Sequence, residues 1–407
     1  MTELPRRLLL TGLASAPLLA GRARAAEGAA EAAPVRVGVL VDQSGPFADT
    51  AGTGSVEAAR MAVEDFGPRV LGRPIEVLSA DHQNKTDVGV SIAREWLGPR
   101  GVDMILDMGN SSIALAVQGL VRDANRVAIP VSAVSSDLAG RACSPNGIQW
   151  AQNNWSNAAA LMRVLRTQGK TTFFLVTVDY NFGLSLEADA ANAITGNGGK
   201  VLGRVRHPLN TSDFSSYLLQ AQASGAEVVV FASAGTDVIN GVEQAHEFGL
   251  TPKQTLAAPG FYLSDVHAVG LPRTQGLTFM QSWYWDLNDT TRAWARRFMA
   301  RRGRMPNDVH AADYSATLHF LRAVAQAGTL DGRAVIAAMK AAPVRDVFTQ
   351  DGHIRANNKL VFTRYLTQVK TPAESHAPWD YLKILAAVPP DQAFRPLGET
   401  GCPLVRA

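Results

Sequence analysis

A valine-rich run, Val35-Arg36-Val37-Gly38-Val39-Leu40-Val41, is stopped by Asp42-Gln43-Ser44-Gly45-Pro46 and followed by an apolar pattern of helical period. Val56, Ala59, Met61, Ala62, Val63 and Phe66 share one face of that pattern, while Glu57, Arg60, Glu64 and Asp65 lie mostly off it. A run this apolar needs cover on both faces, and a helix directly after it supplies one. The stretch therefore predicts strand, loop and helix, the opening of an α/β domain with a parallel sheet. Ligands in such sheets bind at the carboxyl ends of the strands, beside helix N-termini. The loop 42–55 is thus the first candidate site, with Ser44 its candidate contact.

The same unit recurs. Strands are predicted at 74–81, 102–107 and 127–131, with helices at 83–98 and 113–121. The third strand runs into Met108-Gly109-Asn110-Ser111-Ser112, and the fourth into Ser132-Ala133-Val134-Ser135-Ser136-Asp137. Loops of small polar residues at successive strand ends gather at one rim of a sheet, which makes Asn110, Ser111, Ser112, Ser132, Val134 and Ser135 candidate ligand contacts. A second series follows. A helix at 155–169 precedes a strand at 171–178, which ends in Asp179-Tyr180-Asn181-Phe182-Gly183. A helix at 184–196, a strand opening at 199–202, a helix at 214–224 and the strand Val228–Ala232 come next. Helix 238–248, a short strand at 255–258 and the turn Pro259-Gly260-Phe261-Tyr262 complete the series. Tyr180, Phe182, Asp237 and Phe261 fall at this second rim. Two Rossmann-like lobes, each with a loop-lined rim, predict a cleft between them. Beyond it lie a strand at 277–285, helices at 289–302, 308–328 and 332–341, and strands at 360–367 and 381–386.

The formal net charge of +3 resides in Arg6, Arg7, Arg22 and Arg24 set against Glu3, so the rest of the chain is formally neutral and shows no basic excess for nucleic acid. Arg6-Arg7, the apolar stretch 8–20 and the small-x-small pattern Ala23-Arg24-Ala25 read as a signal peptide over 1–25, using the twin-arginine or the general secretory route. An Ala-rich linker covers 26–34, and the expected location is the periplasm. Cys143 and Cys402 are the two cysteines. In an oxidising compartment they form one disulfide or remain two free thiols. The bridge is favoured because the Pro-rich tail 389–407 has little else to anchor it.

In their order along the chain, several motifs resemble the periplasmic binding proteins of branched-chain amino acid (Leu/Ile/Val-binding-like) ABC transporters. They are the opening Val37–Pro46, Gly109-Asn110-Ser111-Ser112, Ile129-Pro130 with its Ser-rich loop, Asp179–Gly183, and Gln244-Ala245-His246-Glu247-Phe248-Gly249-Leu250. The resemblance implies a type I periplasmic binding fold with two lobes joined by a three-segment hinge. Lobe 1 would comprise 35–150 and 282–350, and lobe 2 would comprise 151–281 and 351–388. It implies Ser111 as the leading carboxylate-binding serine, Ser132 and Val134 as the pair in the next loop, and Tyr180 or Phe182 as the aromatic clamp. The family's amino-acid binders set an acidic residue against the ligand ammonium; Pro259 stands at that position here. Asp237 could substitute for it, although a place at a helix start gives that residue a capping role. An unpaired ammonium in a dry cleft is costly. Ala142–Asn146 and Gly401–Leu404 further resemble relatives associated with aromatic acids. The expected ligand is therefore a small organic carboxylate, with aromatic carboxylates placed above amino acids, and an amino acid or an amide or urea as alternatives. The expected partner is a membrane permease with a separate ATPase, the chain acting as a monomer; a sensor of the same fold is the other reading.

Catalysis is not expected. Gly52-Thr53-Gly54 lacks the third glycine of a dinucleotide fingerprint, and no phosphate-binding Gly-Lys-Ser/Thr loop is present. His246-Glu247 lacks the second histidine of a zinc helix, and no Gly-x-Ser-x-Gly elbow occurs. No cofactor and no metal are expected.

Overall fold

The computed structural model describes residues 33–251 and 253–405; the signal peptide expected over 1–25 lies outside them. The first lobe opens with β1 (Val35–Val41), α1 (Gly52–Phe66), β2 (Arg69–Val70), β3 (Arg73–Asp81) and α2 (Thr86–Leu97). It continues with β4 (Met104–Asp107), α3 (Ser111–Asp123) and β5 (Val127–Pro130). The strand order is β2-β3-β1-β4-β5, parallel except for the short β2–β3 pairing. β1 lies at the centre and is almost wholly buried, which is why its valines need cover on both faces.

The second lobe is built from α4 (Asn154–Thr167), β6 (Thr172–Val178), α5 (Asn181–Gly196), β7 (Lys200–His207), α6 (Ser215–Ala223), β8 (Val228–Ala232), α7 (Thr236–Glu247) and β9 (Thr255–Ala257). Its parallel sheet has the order β7-β6-β8-β9. The helices α8 (Leu263–Val269) and α9 (Leu271–Thr274) lead to β10 (Thr278–Gln281). The chain then returns to the first lobe as α10 (Asp289–Arg302), α11 (Asp308–Ala327) and α12 (Gly332–Ala341). Trp294, Phe298, Phe320 and Ile336 from these helices join Val37, Val39 and Met61 in one core. Arg297 grips Asp65 through both guanidinium nitrogens at 2.9 and 2.7 Å, fixing α10 along α1.

The closing segment differs from the expected pair of strands. β11 (His353–Ile354) pairs with β12 (Leu360–Val361), and only then do β13 (Arg364–Val369) and β14 (Leu382–Val388) extend β10 into an antiparallel sheet. One apolar run thus serves two sheets, broken where Arg364 turns inward. The tail carries one helical turn, α13 (Pro390–Ala393), and Cys402 is bridged to Cys143.

The chain passes between the sheets three times, after β5, after β10 and after α12, and buried polar side chains tie these passages together. Arg364 is fully buried and donates to Ser156 Oγ at 2.9 Å, Asn157 Oδ1 at 2.8 Å and the Met280 carbonyl at 3.3 Å. Ser282 Oγ donates to Gln152 Oε1 at 2.6 Å. The Lys359 ammonium donates to the carbonyls of Gln149, Ala151 and Leu360.

Gly183 explains the Asp179–Gly183 motif. A Cβ there would lie 1.9 Å from the Val178 carbonyl oxygen, so the tight turn from β6 into α5 closes only around glycine. Gly183→Ala is expected to lower stability by about 1–3 kcal/mol through overpacking, read as a fall in Tm. Because the disulfide spans a sequence separation of 259 residues, replacing both Cys143 and Cys402 by serine should cost about 2–4 kcal/mol in chemical unfolding.

Candidate functional site

Across the cleft the lobes touch. Asn181 Nδ2 donates to Ser112 Oγ at 3.1 Å, the Ser136 amide to Ser185 Oγ at 3.1 Å, and Ser136 Oγ to Asp189 Oδ2 at 2.6 Å. At the opposite end the Thr236 amide reaches the Pro46 carbonyl at 3.4 Å. Gly235 permits that approach: its φ is +62°, and a Cβ there would sit 2.4 Å from the Pro46 oxygen. These contacts hold the lobes closed around a cavity lined by residues of both.

The first lobe supplies Phe47, Thr50, Ala51, Gly109, Ser111, Ser132 and Val134 to its wall, and the second supplies Tyr180, Phe182, Ala234 and Tyr262. The four rings form an apolar enclosure that suits a flat ligand. The hydroxyls are oriented by their neighbours. Ser111 Oγ accepts the Ser135 amide hydrogen at 3.2 Å, so its own hydrogen is free for the cavity. Ser132 donates both its amide, at 2.9 Å, and its hydroxyl to Asp107 Oδ1, so its Oγ turns lone pairs toward the cavity. Asp107 is fully buried and also receives Ser55 Oγ at 2.9 Å; desolvation nonetheless pushes its carboxyl upward.

Backbone fields add to these groups. Ser111 is the first residue of α3, Tyr180 immediately precedes α5, and Ala234 lies just before Gly235, the residue that precedes α7. Three helix N-termini therefore face the cavity, an arrangement that favours negative charge. Among the described residues no carboxylate lines it. Burial raises the Tyr180 and Tyr262 hydroxyls far above their ordinary pKa, so both remain neutral donors. No cluster of metal-binding side chains is found among the described residues.

Of the residues singled out in the sequence, Ser111, Ser132, Val134, Tyr180 and Phe182 come together on this wall. The others lie elsewhere. Ser44 donates to Asp81 at 2.6 Å on an exposed edge. Asn110 caps α3, accepting from Ser112 and Ile113 at 2.8 and 3.3 Å, and Ser112 meets Asn181 across the cleft. Ser135 holds Ser111 through its amide, and Phe261 is packed edge-on against Phe279 in the second-lobe core. Phe47, Thr50, Ala51, Gly109, Ala234 and Tyr262 were not singled out as contacts. The loop 42–55 was flagged as a whole; Asp42, accepting from the Gly45 and Phe47 amides at 2.7 and 3.0 Å, folds it so that Phe47 faces inward.

Asp237 does not cap α7. It is the second residue of that helix, behind Gly235, and its Oδ2 accepts the Asn210 amide at 3.2 Å, stapling the loop after β7. Burial raises its pKa to about 6 from the usual 3.8. The folded state thus holds a proton that the unfolded chain releases, and stability from this group is lost as pH rises through that window. Asp237→Asn should gain in Tm relative to wild type between pH 4 and pH 7; a pH-independent difference would contradict this.

Two α/β lobes closed over an enclosed cavity define a receptor that binds a small ligand between its domains. Residues 34–375 match the family model described as periplasmic binding protein, and the chain belongs to that family, whose members are the periplasmic ligand-binding components of ABC transporters. A periplasmic binding protein from Burkholderia mallei is 42% identical, with a TM-score of 0.90 over 92% of this chain and 99% of that one. A branched-chain amino acid ABC transporter periplasmic ligand-binding protein from Burkholderia xenovorans LB400 is 41% identical, with a TM-score of 0.82 over 91% and 99% of the two chains. A solute-binding protein from R. palustris, solved in complex with benzoate, shares the fold at 19% identity, with a TM-score of 0.79 over 88% and 97%. No helix among the described residues is long and apolar enough to cross a membrane.

Proposed function

We propose that this protein is the exported receptor of an uptake system for small aromatic carboxylates. The observation that carries the reading is the composition of the cavity wall. Phe47, Tyr180, Phe182 and Tyr262 suit a flat apolar body, while Ser111 at the N-terminus of α3 favours an anion beside it. An α-amino acid would leave its ammonium without a carboxylate partner on that wall, at a cost of several kcal/mol. The benzoate complex of the R. palustris protein, which has the same fold, supports the reading. Residues 1–25 act as the export signal, and the closed monomer presents the rims of both lobes to a permease driven by a separate ATPase. Closure follows from contacts that the ligand makes to both lobes at once.

A second reading is an amide or urea ligand. It is favoured by Ser132 Oγ, whose hydrogen is committed to Asp107 and whose lone pairs would accept an N–H donor. Thermal shift of the mature protein separates the two readings: benzoate raises Tm and leucine does not if the carboxylate reading holds. A shift with benzamide or leucine alone would sink it. Ser111→Ala should weaken benzoate binding roughly 10- to 100-fold in calorimetry, the loss expected for one hydrogen bond to a charged group.

A further inference from the structure

The C-terminal tail and the β11–β12 hairpin enclose a second hollow, which shares no wall residue with the interlobe cavity. Arg355, Lys359, Arg395, Asn357 and Phe394 line it, and among the described residues no carboxylate does. Thr400 is also on its wall, and its carbonyl passes so near Gly140 that a Cβ there would lie 3.0 Å away. The Cys143–Cys402 bridge pins this part of the tail in place.

Three cations meet at this hollow, and only one has a counter-charge. Arg395 pairs with Asp189 Oδ1, whose Oδ2 accepts from Ser136 Oγ at 2.6 Å. Lys359 is 1% exposed and gives its three ammonium hydrogens to carbonyls, which solvate the charge without neutralising it. The charged groups that act on it, Arg364 and Arg355, both repel it. Arg355 donates from Nη2 to the Arg395 carbonyl at 2.8 Å, but its Nε is buried without a partner. A guanidinium does not shed its proton in proteins, so this charge stays. Asn357, also 1% exposed, donates from Nδ2 to the Ala139 carbonyl at 2.8 Å and leaves Oδ1 without a partner. An occupant that answers all of these groups carries negative charge and accepts from Arg355 Nε. It also offers Asn357 a hydrogen, its own or that of a water it carries.

We propose that this hollow is a binding site for a small singly charged anion, chloride or hydrogencarbonate, held by Arg355 and Lys359 beneath the C-terminal tail. The site is independent of what the interlobe cavity binds. Through Arg395 it adjoins Asp189 of α5, so the ion braces the tail where the tail meets the second lobe.

The test is thermal unfolding of the mature protein in sodium chloride or sodium hydrogencarbonate, with sodium gluconate keeping ionic strength and sodium constant at fixed pH. One of the two small anions should raise Tm above gluconate along a saturating curve. Arg355→Gln, which removes the charge and keeps a hydrogen-bond donor, should weaken that response about 10-fold or more in ion concentration. A second measurement needs no variant: in nitrogen-15 spectra of wild type, the Arg355 Nε–H resonance should shift with the ion that raises Tm and not with gluconate. A stronger response to hydrogencarbonate supports the site with the hydrogen on Asn357 coming from the ion, and a stronger response to chloride supports it with a carried water. No rise above gluconate, a rise that Arg355→Gln retains in full, or an Arg355 resonance that neither ion moves overturns the site.

Discussion

Everything in this molecule that can close depends on how three separate stretches of backbone are held together between the lobes. Hydrophobic contact alone would let them slide. Instead, two buried cations are solvated by the protein itself: Arg364 by Ser156, Asn157 and the Met280 carbonyl, and Lys359 by three carbonyls beneath the Phe394 ring. Burial lowers the pKa of both, yet every one of these bonds except that from Lys359 to the adjacent Leu360 carbonyl ties sequence-distant segments together. Directional bonds of this kind specify a unique register where greasy packing tolerates several. The cavity lies between the two rims that these passages connect.

The cavity itself divides its tasks between the lobes. The first lobe carries the oriented polar groups: Ser111 with a free hydrogen, Ser132 with free lone pairs, and the start of α3. The second lobe contributes the rings of Tyr180, Phe182 and Tyr262 to the opposite wall. The polarity of each serine is decided one layer further out, by the Ser135 amide in one case and the Asp107 carboxylate in the other. Changing Asp107 would therefore alter which hydrogen-bond partner Ser132 Oγ can take.

Most of the architecture was legible in the sequence because β-strands buried on both faces leave an unmistakable record. Val35–Val41 and Val228–Ala232 are such runs, and both fall where the pattern predicts. The loops after them announced a rim through their serines and glycines. What composition could not reveal was orientation. Ser44 and Ser111 are chemically alike, yet Asp81 draws one to the edge while α3 points the other inward. Phe261 and Tyr262 are adjacent aromatics on one turn; the first is packed against Phe279 and the second faces the cavity. The division of 360–369 between two sheets was hidden for a related reason. Arg364 reads as a surface residue until its partners, distant by 84 to 208 positions, are known.

The bridge between Cys143 and Cys402 closes a covalent ring. That ring takes in all of the second lobe, the returning helices α10 to α12 and every passage of the hinge after the first cysteine. A single cut anywhere between the two cysteines opens the ring without releasing a fragment. In an environment rich in proteases, a nicked receptor of this design remains one molecule, with both walls of its binding site attached, until a reductant reaches the tail.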